Sequence, residues 1–259
     1  MSPVFAVGES ARPLVTTAIH AGHELRGEVL AEIALDDATR LREEDPFTDR
    51  LVVAGVPVTV FRSRFEVDLN RPRESAVYTT PDTAWGLDVW RAPPSERLVE
   101  RSLAEYDTFY GAMAQRLDGM TRQGPFLVLD LHSYNHRRRG PDAEPAPAAE
   151  NPEINVGTGS LDRDRFGPVA DQFIDSMSRQ QVAGHELDVR ENVKFSGGQL
   201  SRWVNERYDG IGAALAVECR KDFMDEWTGI PDEAHLDELA QAVQRALVPT
   251  LGVLPGGLG

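Results

Sequence analysis

Apolar runs of strand length alternate with amphipathic stretches along most of the chain, and several of those runs stop abruptly at a titratable residue. The clearest is Phe126 to Tyr134, which reads Phe-Leu-Val-Leu-Asp-Leu-His-Ser-Tyr. A run of this kind suits a buried parallel strand. It sets His132 at the strand's carboxyl end, the edge of an open α/β sheet where ligands bind. Leu14 to Ile19 is a second, β-branched strand that stops at His20, with Glu24 close behind. Ile211 to Val217 is a third, built of small apolar residues and running into Glu218. Further strands are expected over Leu51 to Ala54 and Val56 to Phe61, where Pro57 interrupts, within Pro152 to Gly159, which also holds a glycine turn, and over His185 to Val193.

Between them the spacing predicts helices over Leu25 to Leu41, Glu96 to Leu117, Arg165 to Met177 and Asp232 to Leu247, the last stopped by Pro249. Strands and helices in alternation predict an α/β fold, with a mainly parallel or mixed central sheet covered by helices on both faces. One domain over residues 1–259 is expected, with a flexible loop at about 137–151 where Pro, Ala and acids crowd together.

Composition narrows the partners. The net charge of −15 disfavours nucleic acid and anionic membrane surfaces, which repel a polyanion. A single cysteine, Cys219, can form no internal disulfide and fits a reducing compartment. The amino terminus shows no basic leader with an apolar core and no run long enough to span a bilayer, so a cytoplasmic location is expected. Oligomeric state is left open.

The chemistry gathers at the strand ends. His20, His132 and Glu218, with Glu24 nearby, offer two imidazoles and a carboxylate for a zinc site that leaves one position for water, plus a further carboxylate for general base work. Asp130, two residues before His132, is placed to steady that ring if the strand stays regular. Pro72 biases Asn70 and Arg71 toward a loop or strand end, where an amide and a guanidinium suit a small carboxylate. Arg202, after the Gly197-Gly198 turn, is a similar candidate. His136 and the arginines at 137–139 read as a solvated basic loop, and Trp85 as packing or pocket wall.

Six short stretches in order resemble the N-formylglutamate amidohydrolase family: Ile19-His20-Ala21-Gly22, Val67 to Pro72, Leu129 to Ser133, Pro152 to Thr158, Gly197 to Arg202 and Val217 to Met224. The resemblance implies the three-layer zinc carboxypeptidase-like α/β fold shared with aspartoacylase. It also implies metal-dependent cleavage of the amide of an N-acyl acidic amino acid such as N-formylglutamate. Carried over, His20 and His132 become zinc ligands, Glu218 the base that activates water, and Asn70, Arg71 and Arg202 the substrate-binding clamp. The carboxypeptidase-like pattern places a metal-binding glutamate three residues after the first histidine. Here His23 stands in that place and Glu24 follows, which makes Glu24 the first choice for third ligand, with Asp45 or Asp49 from the acidic segment as alternatives. The last motif reads Glu-Cys-Arg-Lys-Asp where the family has Glu-Ile-Asn-Arg. Two other readings stay open: a metallo-carboxypeptidase or amidase on a peptide or cell-wall fragment, and a noncatalytic carboxylate- or metal-binding protein.

Overall fold

The computed structural model describes residues 3–256. Its strands are β1 (Phe5–Val7), β2 (Leu14–Ala18), β3 (Val56–Val60), β4 (Phe126–Tyr134), β5 (Ile154–Gly157), β6 (Gln181–Val182), β7 (His185–Glu186), β8 (Val189–Glu191) and β9 (Gly212–Arg220). Seven of them form one sheet in the order β1-β3-β2-β4-β9-β5-β8, and β6 and β7 pair separately. The centre, β3-β2-β4-β9, is parallel throughout. Antiparallel pairings of β1 with β3 and of β5 with β9 make the sheet mixed. The helices are α1 (Gly27–Glu32), α2 (Asp37–Glu43), α3 (Glu96–Thr121), α4 (Arg163–Ser178), α5 (Gln199–Arg207) and α6 (Glu233–Gly252). None of the described helices is long and apolar enough to cross a membrane.

Strand periodicity explains the three layers. Along β4, Phe126 and Val128 pack with Phe109, Met113 and Leu117 of α3 and with Leu200 and Val204 of α5. Leu127, Leu129 and Leu131 point the other way, to Phe166 and Phe173 of α4 and Leu236 and Val243 of α6. Both faces of β4 are covered, so its sequence is apolar almost throughout. The α3/α5 face then turns polar at Asp130 and His132, both still buried. Gly212 opens β9 where a Cβ would meet the Phe126 ring at 2.5 Å, so glycine lets that ring close over the neighbouring strand.

Several expectations change. The helix read over Leu25 to Leu41 is two short ones, because Ile33 leaves the helix to bridge Trp90 and Asp36 starts α2 by accepting from Thr39 N at 2.7 Å. Leu51 to Ala54 makes no strand; Thr48–Leu51 is a 3-10 turn. His185 to Val193 is two short strands rather than one. Helix α6 runs through Pro249 to Gly252, since a proline in the last turn removes only one backbone bond. Helix α5 was not read from the sequence at all.

Candidate active site

The parallel centre of the sheet brings three strand ends together. In the β4–β9 register His132 lies directly opposite Glu218, and β2, on the other side of β4, delivers His20 two residues past its end. The His20 and His132 rings meet edge to face, 4.9 Å between centroids. Asp45 completes the group. Its Oδ2 lies 2.9 Å from His132 Nδ1 and 3.3 Å from His20 Nδ1, and one donor atom of each of the three residues falls within 4.8 Å of the others.

Asp45 is carried by the chain just after α2. Its backbone N–H donates to His20 O at 3.0 Å. From the far side Lys221 Nζ donates to the carbonyls of Arg42 and Glu44, each at 2.6 Å. Glu24, expected as the third ligand, is instead exposed, its backbone bridging Arg62. Asp49 is exposed as well. The reason is geometric: the chain turns away after His20, and Glu24 pairs beyond the end of β3.

Each imidazole presents Nδ1 to the group and is backed at Nε2 by a buried acid. His20 Nε2 lies 2.8 Å from Asp68 Oδ1, and His132 Nε2 lies 3.0 Å from Asp130 Oδ2. The second is a close charge contact rather than an aligned hydrogen bond, since Oδ2 finds no well-directed donor. Asp68 is itself fixed by Arg64 at 2.7 Å, Asn70 N at 2.8 Å and the Tyr78 hydroxyl, and Asp130 by Thr17 Oγ1 at 2.6 Å. Carboxylates behind ligating histidines orient the rings and raise their basicity.

These residues fit a divalent metal. His20 Nδ1 is buried without a hydrogen-bond partner, the state of a donor reserved for something else. Two imidazole nitrogens and one carboxylate oxygen are the donor types of an open zinc site. Four carboxylates around two imidazoles make a negative centre that favours a cation. Burial pushes against ionisation of Asp45, yet the hydrogen bond from His132 and the close approach of the His20 ring hold its carboxyl well below the usual range. Burial likewise opposes a charged His132, and Asp130 and Asp45 overcome it to raise its pKa. Glu218 is pushed up to about 7, first by burial and further by Asp45 and Asp130, against the opposing charges of His132 and His20.

The group opens into a cavity of about 370 Å³. Of the residues expected from sequence, His20, Asn70, Arg71, His132 and Glu218 all line it. Arg202 does not: it is exposed on α5, bonded to Gln199 Oε1 at 3.3 Å, because the buried face of that helix is Leu200, Ser201 and Val204. Asn70 Oδ1 accepts from Leu200 N at 3.1 Å and Nδ2 lies 3.3 Å from His132 Nε2, so its amide is engaged with the protein itself. A Cβ on Gly198 would fall 2.2 Å from that amide, which explains the glycine in the predicted turn. His136 is buried between Glu226 and Asp222, at 2.9 and 3.3 Å, rather than solvated. Trp85 and Phe195 line the cavity and remain partly exposed. Sequence reasoning missed Asp68, Asn135, Arg138 and Lys221; of these Asp68 and Lys221 carried a signal, as parts of the Val67 to Pro72 and Val217 to Met224 stretches.

A family model described as N-formylglutamate amidohydrolase matches residues 12–224. An N-formylglutamate deformylase of Pseudomonas aeruginosa is 26% identical over 270 residues, covering 97% of each chain. Among solved structures, an N-formylglutamate amidohydrolase from Ralstonia eutropha superposes with a TM-score of 0.72 at 17% identity, over 95% of this chain and 96% of that one. A gene product of Agrobacterium tumefaciens gives 0.66 at 18% identity, over 96% of both.

Proposed function

The chain belongs to the N-formylglutamate amidohydrolase family, and from that premise we infer that it is a metal-dependent hydrolase that cleaves the formyl amide of N-formylglutamate, with zinc as the metal. The observation that carries the reading is the buried His20, Asp45 and His132 group beside Glu218, at the floor of a cavity with arginines in its walls.

His20 Nδ1, Asp45 Oδ2 and His132 Nδ1 would hold the ion. When bound, a zinc ion supplies Lewis acidity that polarises a carbonyl and eases deprotonation of water. Glu218 takes a proton from the attacking water as the new C–O bond forms at the formyl carbon. It then passes that proton to the nitrogen as the C–N bond breaks, leaving formate and glutamate. A carboxyl that sits near neutrality serves both steps, and a nearby cation draws its pKa below the metal-free value of about 7. Asp68 and Asp130 keep the two imidazoles turned toward the centre. Arg71 is poised for a substrate carboxylate: it stacks 5.0 Å from the Tyr78 ring, and its side chain approaches Asp68 Oδ2 only at 3.7 Å, with no hydrogen bond among the described residues.

Two observations weigh against the alternatives. The cavity is at the small end of ligand pockets, which favours an amino acid derivative over a peptide or cell-wall fragment. An acid does reach the histidine pair, which favours turnover over simple binding. The zinc-loaded protein is expected to release formate from N-formylglutamate, and to act far more slowly on N-acetylglutamate and on peptidyl substrates. Hydrolysis confined to the peptidyl substrates would overturn the reading.

A further inference from the structure

A glutamate derivative carries two carboxylates, and the floor of this cavity is itself acidic, with Glu43, Asp45, Asp68 and Glu218 on its surface. Binding such a dianion calls for two cations with hydrogen-bonding capacity to spare. Four basic side chains line the cavity: Arg64, Arg71, Arg138 and Lys221. Two are spent. Arg64 donates to Asp68 Oδ2 at 2.7 Å, to the Tyr78 hydroxyl at 3.3 Å and to Glu43 O at 3.4 Å. Lys221 is 1% exposed and its Nζ is bound by two carbonyls. Arg71 and Arg138 remain.

Arg138 comes from the loop after β4, whereas Arg71 comes from the loop that follows β3. Its side chain is 52% exposed, and among the described residues it has a single polar contact, 3.5 Å from Nη1 to Glu43 Oε2. That contact is weak competition, because Glu43 already takes Arg42 Nη1 on its other oxygen at 2.6 Å. Glu43 thus holds Arg138 at the cavity wall while leaving most of its fork open. A guanidinium in this state suits a bidentate grip on an incoming carboxylate.

We propose that Arg138 is a specificity-determining residue that receives the side-chain carboxylate of the substrate, with Arg71 receiving the α-carboxylate, so that the two arginines select dicarboxylic over monocarboxylic N-acyl amino acids. The inference rests on the reading that the substrate is an N-acyl acidic amino acid.

Its test measures binding as well as turnover. Glu218→Gln protein, with and without Arg138→Ala, is titrated with N-formylglutamate and with N-formylnorvaline, which lacks the side-chain carboxylate. Losing one charge-assisted contact should weaken N-formylglutamate binding by about 10- to 100-fold. N-formylnorvaline should change by no more than about twofold, and Arg138→Lys should recover part of the loss. In otherwise wild-type protein the same substitution should raise KM for N-formylglutamate much more than it lowers kcat. An equal loss for both ligands, or no loss for either, would overturn the proposal. If the diacid binds with the Arg138-dependent preference but wild-type protein never cleaves it, the proposed function falls and this inference stands. If formate is released normally by the Arg138→Ala protein, the reverse holds. Failure of both ligands to bind overturns both.

Discussion

Glu218→Gln protein is expected to bind its metal as tightly as wild type and to lose about 10²- to 10⁴-fold in kcat for formate release, the range spanned by removal of a general base. Glutamine keeps the size of the side chain and its place opposite His132 in the β4–β9 register, so the loss would report proton transfer rather than collapse. The pH profile gives an independent check. A base works only when deprotonated, so wild-type kcat/KM should rise with pH until Glu218 has ionised. The midpoint of that acid limb should lie at or below about 7, because the bound cation lowers the value that burial raises. Kinetics of formate release for both proteins between pH 5 and 9 measure the two effects together. Comparable turnover in the variant would remove Glu218 from the mechanism.

A second series separates the possible acidic ligands. Asp45→Asn protein is expected to bind zinc at least about 100-fold more weakly than wild type, since even the acids behind ligating histidines are worth about 10- to 100-fold. Asp68→Asn, which neutralises the acid behind His20 Nε2 without touching a candidate ligand, should fall within that smaller range. Glu24→Ala should change nothing, because Glu24 is exposed and away from the histidine pair. Competition against a chelator of known affinity ranks the four proteins. A Glu24 effect as large as that of Asp45 would mean that the centre is assembled differently.

Much of the sheet was legible in the sequence, because burial on both faces leaves a strand almost wholly apolar. Strand β4 runs over the nine residues from Phe126 to Tyr134 that its hydrophobic run suggested. The abrupt polar break at the carboxyl ends of β2, β4 and β9 pointed to His20, His132 and Glu218 for the same reason: a titratable residue following such a run must find partners or face a cavity. The third acid was not legible to the same degree. Glu43, Glu44, Asp45 and Asp49 are near-equivalent on the page. What singles out Asp45 is tertiary: its N–H on His20 O, and Lys221 gripping the carbonyls of Arg42 and Glu44 from nearly 180 residues away. Arg202 was misplaced for a local reason. With α5 unrecognised, nothing showed that the helix buries Leu200, Ser201 and Val204 and turns Arg202 to solvent. Arg138 sits in a loop with no periodicity to read, and only the folded chain brings it to the cavity.

The most direct test of the central claim is removal and return of the metal with N-formylglutamate as substrate. Protein stripped by a chelator and freed of it should release no formate, and one equivalent of zinc per chain should restore turnover in wild type but not in His132→Ala protein. Full turnover by the stripped wild-type enzyme, or equal restoration in the His132→Ala variant, would contradict the account.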